Sequence, residues 1–275
     1  MSLPINKFAT QAKATLISNR RIGVYHQLIL EIGELVKYIK PGNFIAISVG
    51  GETSRMVLRR AFAISRINER GTIELIVSPM GSGSQWLCNQ SEGSSIDVVT
   101  PLGTAFGIPT EPVTALLVGG GYGSAPLFGL AEILKNRGCR VIMALGASSA
   151  PKIYAPIEGK RSATLLKIYT EDGSAGDNGR VTDAMPDLID EHDVRVIYSC
   201  GPMAMLEAIS KIAIEKDIAH QCAVEESMAC GIGICMTCVI PVKENNGQIK
   251  NLRSCIEGPV MDGEAVQWHL VGEQL

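Results

Sequence analysis

The chain has 275 residues, which predicts about two domains with ample core. Its net charge is −3 with both signs scattered, so it shows no basic footprint for nucleic acid. Eight cysteines are too few for a disulfide scaffold of this length, and the N-terminus has no charged stretch leading into an apolar one, so the expected setting is a reducing cytoplasm.

From Phe8 to Val99 the chain reads as short β segments punctuated by turns. Strands are predicted at Ala12–Ser18, Tyr25–Glu31, Phe44–Val49, Arg60–Arg66, Thr72–Ser78 and Ser95–Val99, with Pro41-Gly42 and Arg70-Gly71 as turns. Short strands without a long helix predict a small antiparallel barrel. Arg60-Ala61-Phe62-Ala63-Ile64 lies on one of them, and alone it carries little information. Met80-Gly81-Ser82-Gly83-Ser84 joins a strand to a short helix. It reads either as a cradle whose N–H groups face a phosphate or as an ordinary Gly/Ser turn.

Next, Thr114–Val118 is an apolar strand followed by Gly119-Gly120-Gly121-Tyr122-Gly123-Ser124-Ala125-Pro126 and a helix to about Arg137. Strand, glycines and helix open a dinucleotide fold, here as G-x-G-x-x-P with proline in the first helical turn. Pro112 to Ala131 holds twenty uncharged residues, but its five glycines and two prolines fit this strand–turn–helix better than a membrane span. Strands at Arg140–Leu145, Leu165–Tyr169, Arg195–Ser199 and His220–Val224, with helices at Val181–Glu191 and Met203–Lys216, predict a doubly wound parallel sheet. Cys200-Gly201-Pro202 ends one strand, where ligands bind in such sheets. Cys200 then either faces a nicotinamide or is a small buried apolar residue.

Near the end stands Cys230-Gly231-Ile232-Gly233-Ile234-Cys235-Met236-Thr237-Cys238, completed by Cys255 after sixteen residues. C-x4-C-x2-C with a distant fourth cysteine is the plant-type spacing for a [2Fe–2S] cluster. Glycines let the loop curl and bring N–H groups towards the sulfurs. A zinc site usually shows two C-x2-4-C pairs, and a disulfide is the remaining competitor. The expected ligands are Cys230, Cys235, Cys238 and Cys255.

In this order the pieces resemble the ferredoxin–NADP reductase superfamily. Within it they look most like the electron-transfer subunit of the NAD-dependent dihydroorotate dehydrogenases. The resemblance spans nearly the whole chain and rests on Pro41–Phe44, Arg60–Ile64, Gly81–Ser84, Pro101–Gly103, Gly119–Pro126, Tyr169–Gly176, Gly179–Asp183, Cys200–Pro202 and Cys255–Val260. It implies three parts: an FAD-binding barrel over residues 1–108, an NAD-binding α/β domain over 109–218 and a [2Fe–2S] domain over 219–275. Arg60, Ala61, Phe62 and Ala63, the backbone of Ile76, Val77 and Ser78, and Gly83 with Ser84 would meet the flavin nucleotide. Gly119, Gly120, Gly121, Gly123, Pro126, Gly201 and Pro202 would hold NAD, with Cys200 beside the nicotinamide. The family strand reads R-P-x-S-I, with a hydroxyl able to reach flavin N5. Here Ala61 and Ala63 replace the proline and the hydroxyl residue, and Ser65 lies about 6.8 Å further along.

The resemblance implies a relay. Electrons from a dihydroorotate-oxidising, FMN-bearing partner would pass through the cluster and FAD to NAD, within a heterotetramer. The histidines His26, His192, His220 and His269 form no catalytic constellation. Two other readings stay open: a diaphorase-like subunit of a hydrogenase or ferredoxin-linked oxidoreductase, and a zinc-containing nucleotide-sensing module. The absence of an arginine in Gly146–Lys152, after the second strand of the sheet, predicts NAD over NADP.

Overall fold

The computed structural model describes residues 8–51 and 54–272. Its first part contains β1 (Thr10–Ile22), β2 (Tyr25–Glu31), β3 (Phe44–Ile47), β4 (Arg60–Asn68) and β5 (Thr72–Val77), then helix α1 (Ser82–Cys88) and β6 (Ser95–Leu102). The six strands close into an antiparallel barrel in the order β1-β2-β5-β4-β3-β6. Strand alternation decides which side chains fill it. Leu28, Leu30, Ile45, Ile47, Leu75 and Val98 point inward and are wholly buried. Phe44 and Ala46 alternate with Ile45 and Ile47, so they face outward, yet they too are buried because a later segment covers them.

The second part runs β7 (Thr114–Gly120), α2 (Ala125–Asn136), β8 (Arg140–Ala147), α3 (Pro156–Ser162), β9 (Leu165–Thr170), β10 (Asp177–Asn178), α4 (Met185–His192), β11 (Val196–Cys200), α5 (Met203–Glu215) and β12 (Ala219–Ala223). The chain ends with β13 (Val239–Lys243), β14 (Ile249–Arg253) and β15 (Val260–Asp262). One sheet takes the order β10-β9-β8-β7-β11-β12-β15, parallel except for β15. Ala115, Leu116, Leu117 and Val118 have no exposed surface, as expected of a parallel strand covered on both faces. Strand order reverses between β7 and β11, where Gly119 sits opposite Cys200. Beyond the carboxyl ends of such strands the fold leaves a crevice.

Barrel and sheet share a core. Tyr25 and Ile76 of the barrel belong to the same buried cluster as Leu127, Phe128, Leu130 and Leu134 of α2. Fully burying a side chain of that size contributes roughly 1.5–3 kcal/mol. Gly129 lets α2 lie on β4, since a Cβ there would come within 2.8 Å of the Ser65 carbonyl oxygen. Ser65 Oγ reaches the Ala125 carbonyl at 3.1 Å and Glu74 at 3.2 Å, and Glu74 also accepts from Gln27 and Tyr154.

The expected architecture of antiparallel barrel, parallel sheet and C-terminal cluster segment is the one that forms. β12 and β15, both beyond residue 218, are strands of the large sheet. The cluster segment therefore leaves the sheet after β12, forms the β13–β14 hairpin and returns as an edge strand. The helix predicted from Val181 starts at Met185, and Arg180, Val181 and Thr182 line the crevice instead. The sequence reading missed α3 and the β13–β14 hairpin. No helix among the described residues is long and apolar enough to cross a membrane.

Candidate functional site

The cluster loop curls as its glycines allow. Gly231 and Gly233 have φ of 69° and 82°, in the left-handed region that favours glycine. The curl turns the Ile232 and Ile234 N–H groups onto Cys230 Sγ, at 3.5 and 3.4 Å. Thr237 Oγ1 donates to Cys235 Sγ at 3.2 Å. Arg253 braces the loop from β14, donating to the Gly233 carbonyl at 2.8 Å while paired with Glu257.

Among the described residues no three His, Cys, Asp or Glu side chains form a single-ion site. The cysteines interact most strongly two by two, Cys230 with Cys235 and Cys238 with Cys255, and Cys230 also acts on Cys255 across the pairs. Two pairs fit a two-iron cluster, in which each iron takes two protein ligands. In each pair one thiol is biased towards thiolate, the form that binds metal. Cys235 is pulled down to about 6, first by the Thr237 hydroxyl. Cys238 is pulled to about 6, first by the Cys255 thiol, which in turn is pushed up. Cys238 and Cys255 are buried and Cys235 is exposed, between Ile234 and Met236, which are 72% and 51% exposed.

This loop covers the outward-facing side chains of β3. Cys238, Cys255 and Ile256 pack with Phe44, Ala46 and Leu102. Phe44 is the cross-strand partner of Ala63, and Ala46 of Ala61. Ala61 and Ala63 therefore continue the same barrel face, and both are exposed. Phe62 points the other way, against the barrel interior. Beside this face Arg60 lies against the first turn of α1, where a Cβ on Gly83 would come within 3.1 Å of its Cγ and Nε. Two motifs far apart in sequence thus meet, leaving a small-residue face with a guanidinium and the helix start at its end. Ser84 Oγ closes that turn by accepting from Gly81 N at 3.0 Å. Ile76 packs towards the sheet, Val77 into the barrel, and Ser78 reaches the crevice. Ser65 is buried and engaged with Ala125 and Glu74, so it does not stand in for the hydroxyl missing at Ala63.

The crevice at the switch point holds about 880 Å³. Gly120, Gly121, Gly123, Gly201 and Pro202 line it, with Ser78 and Met80 on the barrel side. The two glycine turns interlock: a Cβ on Gly123 would meet Gly201 Cα at 2.8 Å, and one on Gly120 would meet Pro202 Cδ at 2.7 Å. Gly119 faces Ser124 and Pro126 is buried in α2, so these two shape the turn without lining the crevice. Cys200 is buried behind Gly201, and burial, with the charge of Glu225 added, pushes its thiol up to about 12. It remains a neutral thiol, unsuited to act as a nucleophile.

Several crevice residues escaped sequence reasoning. Glu225 reaches the Tyr122 hydroxyl, and Tyr122 packs on Tyr25 with ring centroids 5.7 Å apart. Tyr25 donates to the Lys152 carbonyl at 2.9 Å. Lys152, Glu171 and Arg180 bring three charges to the crevice from separate loops. The absence of arginine after β8 therefore did not mean absence of cations, since Arg180 arrives from the loop before α4. Glu171 and Arg180 lie in the stretches Tyr169–Gly176 and Gly179–Asp183 that carried the family resemblance, whereas Lys152 and Glu225 were given no role there.

Against known proteins, residues 225–267 match the iron–sulfur cluster binding domain of dihydroorotate dehydrogenase B. The electron transfer subunit of dihydroorotate dehydrogenase B (NAD(+)) from Listeria monocytogenes is 37% identical, over 88% of this chain and 92% of its own length. The corresponding subunit from Desulforamulus reducens is 32% identical, over 86% and 89%. Among solved structures, an NADH-dependent reduced ferredoxin-NADP oxidoreductase superposes with a TM-score of 0.83 at 29% identity, covering 94% of this chain and 91% of that one. The ferredoxin reductase of carbazole 1,9a-dioxygenase, at 19% identity and TM-score 0.64, shares the fold.

Proposed function

The chain belongs to the family of dihydroorotate dehydrogenase B (NAD(+)) electron transfer subunits, and from that premise we propose that it carries electrons from an FMN-bearing dihydroorotate-oxidising partner to NAD within a heterotetramer. FAD, when bound, converts single electrons to the two-electron hydride of NADH, and a [2Fe–2S] cluster carries electrons one at a time. Cys230, Cys235, Cys238 and Cys255 would hold the cluster. Arg60, Gly83 and Ser84 would hold the FAD pyrophosphate, with the flavin on the face of Ala61 and Ala63. Gly120, Gly123, Gly201 and Pro202 would hold NAD, and Cys200 would pack behind the nicotinamide.

The observation that carries this reading is the register of β3 and β4. Ala46 and Phe44, under the cluster loop, pair with Ala61 and Ala63. Neighbouring strands are about 5 Å apart. The cluster ligands and the exposed alanine face are thus adjacent on one barrel wall, and the nucleotide crevice opens beside Ser78 at the end of β5. At the other end, exposed Ile234 and Met236 flank Cys235 and offer an apolar rim through which a partner can approach.

The test is reconstitution with the FMN subunit of the same organism. Dihydroorotate-dependent reduction of NAD should require both chains and vanish with Cys235→Ser. Failure of the two chains to co-elute or to couple dihydroorotate to NAD would refute the partner. One observation favours a second reading: the neighbour at TM-score 0.83 is a ferredoxin-NADP oxidoreductase. If this chain couples NADH to ferredoxin and not to dihydroorotate, that reading replaces the first.

A further inference from the structure

Ser254, immediately before the fourth cysteine, has no exposed surface, and its hydroxyl finds no oxygen or nitrogen partner; the one polar group it lies against is the Cys238 sulfur. Among the described residues only one other buried side-chain polar atom is in this state, Arg66 Nε. That guanidinium still lies 3.4 Å from Glu132 and over the Phe128 ring, so it has electrostatic company. Ser254 has no charged or aromatic neighbour of that kind, only the Cys238 sulfur. Native proteins seldom leave a buried hydroxyl unpaired, and each exception calls for a group absent from the count.

The backbone holds Ser254 where it is. Its N–H donates to the Cys238 carbonyl at 2.7 Å, so β14 delivers it to the loop that carries the third cysteine. Gly258 closes over it, with no room for a Cβ beyond 3.0 Å from the Ser254 carbonyl oxygen. The hydroxyl thus stays against the Cys238 sulfur, in the buried half of the four-cysteine site. The exposed half differs: Cys235 already accepts from Thr237, whose hydroxyl is also open to water.

We propose that the Ser254 hydroxyl donates a hydrogen bond to the sulfur of the buried ligand pair once the cluster is in place, and so tunes its reduction potential. Hydrogen bonds to cluster sulfurs stabilise the more negative, reduced form and raise the potential. Ser254 is a positioning and tuning residue here; it binds no iron. The inference rests on the cluster assignment. Solvent competes for Thr237 and not for Ser254, so the buried hydroxyl has the larger effect.

The experiment uses the full chain purified anaerobically, with iron content measured first. Absence of iron in the wild type overturns the cluster assignment itself. With iron present, the midpoint potential is read by EPR-monitored redox titration. Ser254→Ala should shift it to a more negative value, Thr237→Ala should shift it less, and Ser254→Thr, which keeps the hydroxyl, should lie nearer the wild type. In the cluster-free chain, Ser254→Ala should melt no lower than the wild type, because the hydroxyl has no oxygen or nitrogen partner to lose and a neutral thiol is a weak acceptor. An unchanged potential in Ser254→Ala at equal iron content overturns the proposal. A lower melting temperature of the cluster-free variant also overturns it, since the hydroxyl then serves the fold. If Ser254→Ala cannot retain iron, retention by Ser254→Thr supports the hydroxyl's role and loss by both overturns it.

Discussion

His220 is the place where acid should loosen the cluster segment from the sheet. It lies on β12, 3% exposed, with Nε2 2.6 Å from Ser199 Oγ and Nδ1 3.0 Å from Ser210 Oγ. Ser210 has committed its single proton to the Leu206 carbonyl at 2.9 Å, so the ring donates from Nδ1 and accepts from Ser199 at Nε2. Every polar atom of the neutral ring is satisfied, and a second ring proton would displace the Ser199 hydroxyl hydrogen from its acceptor. Burial accordingly lowers the pKa from 6.5 to about 3. Between those values the unfolded chain binds a proton that the folded chain refuses, so stability is lost as pH falls below about 6.5. Folded and unfolded values of about 3 and 6.5 imply a loss of about 2 kcal/mol at pH 5. The same ring packs against Gly263, whose N–H donates to the His220 carbonyl at 2.8 Å just beyond β15. Urea unfolding at pH 7.5 and pH 5.0 checks this against His220→Gln, which can make both serine contacts without titrating. The wild type should lose about 2 kcal/mol more than the variant over that interval. Equal losses in the two proteins would refute the reasoning.

Cys235→Ser should remove the cluster and leave FAD and NADH-driven dye reduction in place, because a hard alkoxide replaces a soft thiolate outside the flavin face; loss of FAD with the iron, read by absorption and metal analysis, would contradict it. Gly123→Ala forces a Cβ to within 2.8 Å of the Gly201 backbone, and an overpacking cost of about 1–3 kcal/mol should raise the KM for NADH roughly five- to 150-fold with FAD content unchanged. Steady-state dye reduction should give a higher kcat/KM for NADH than for NADPH, because no arginine stands in Gly146–Lys152, after β8, where a 2′-phosphate is usually met; a preference for NADPH, held by Lys152 and Arg180 of the crevice, would refute that assignment.

Local pattern made most of the fold legible. Alternation in Tyr25–Glu31 and Thr72–Val77, the apolar run before Gly119 and the three-cysteine loop each fix their own element without help from distant residues. The missed pieces were those whose signal lies elsewhere. α3 has only seven residues with a glycine inside, and it exists because Gly159 fits against Leu166. β14, Ile249–Arg253, is too polar to read as a strand, and its pairing with β13 supplies the order. Arg180 lay in a stretch that carried the family resemblance but no assigned role, because only the sheet brings its loop to the crevice.

The same distinction explains why the site was half visible. Candidate ligands are marked by short spacing, so the three-cysteine loop and the glycine turns stood out, and Arg60 entered only through the family resemblance. Adjacency is a property of register, which no single stretch encodes. Phe44 and Ala46 read as ordinary strand residues, and Ala61 and Ala63 read as departures from a motif. Paired across β3 and β4, they become one wall, with Cys238 and Cys255 packed over one strand and an open face on the next. A large side chain at residue 61 or 63 would cover that open face, whatever it did for the strand. The small residues at these positions are therefore best understood through the barrel's outer surface, where the proposed function puts the flavin, and not through the barrel core, against which Phe62 and Ile64 pack.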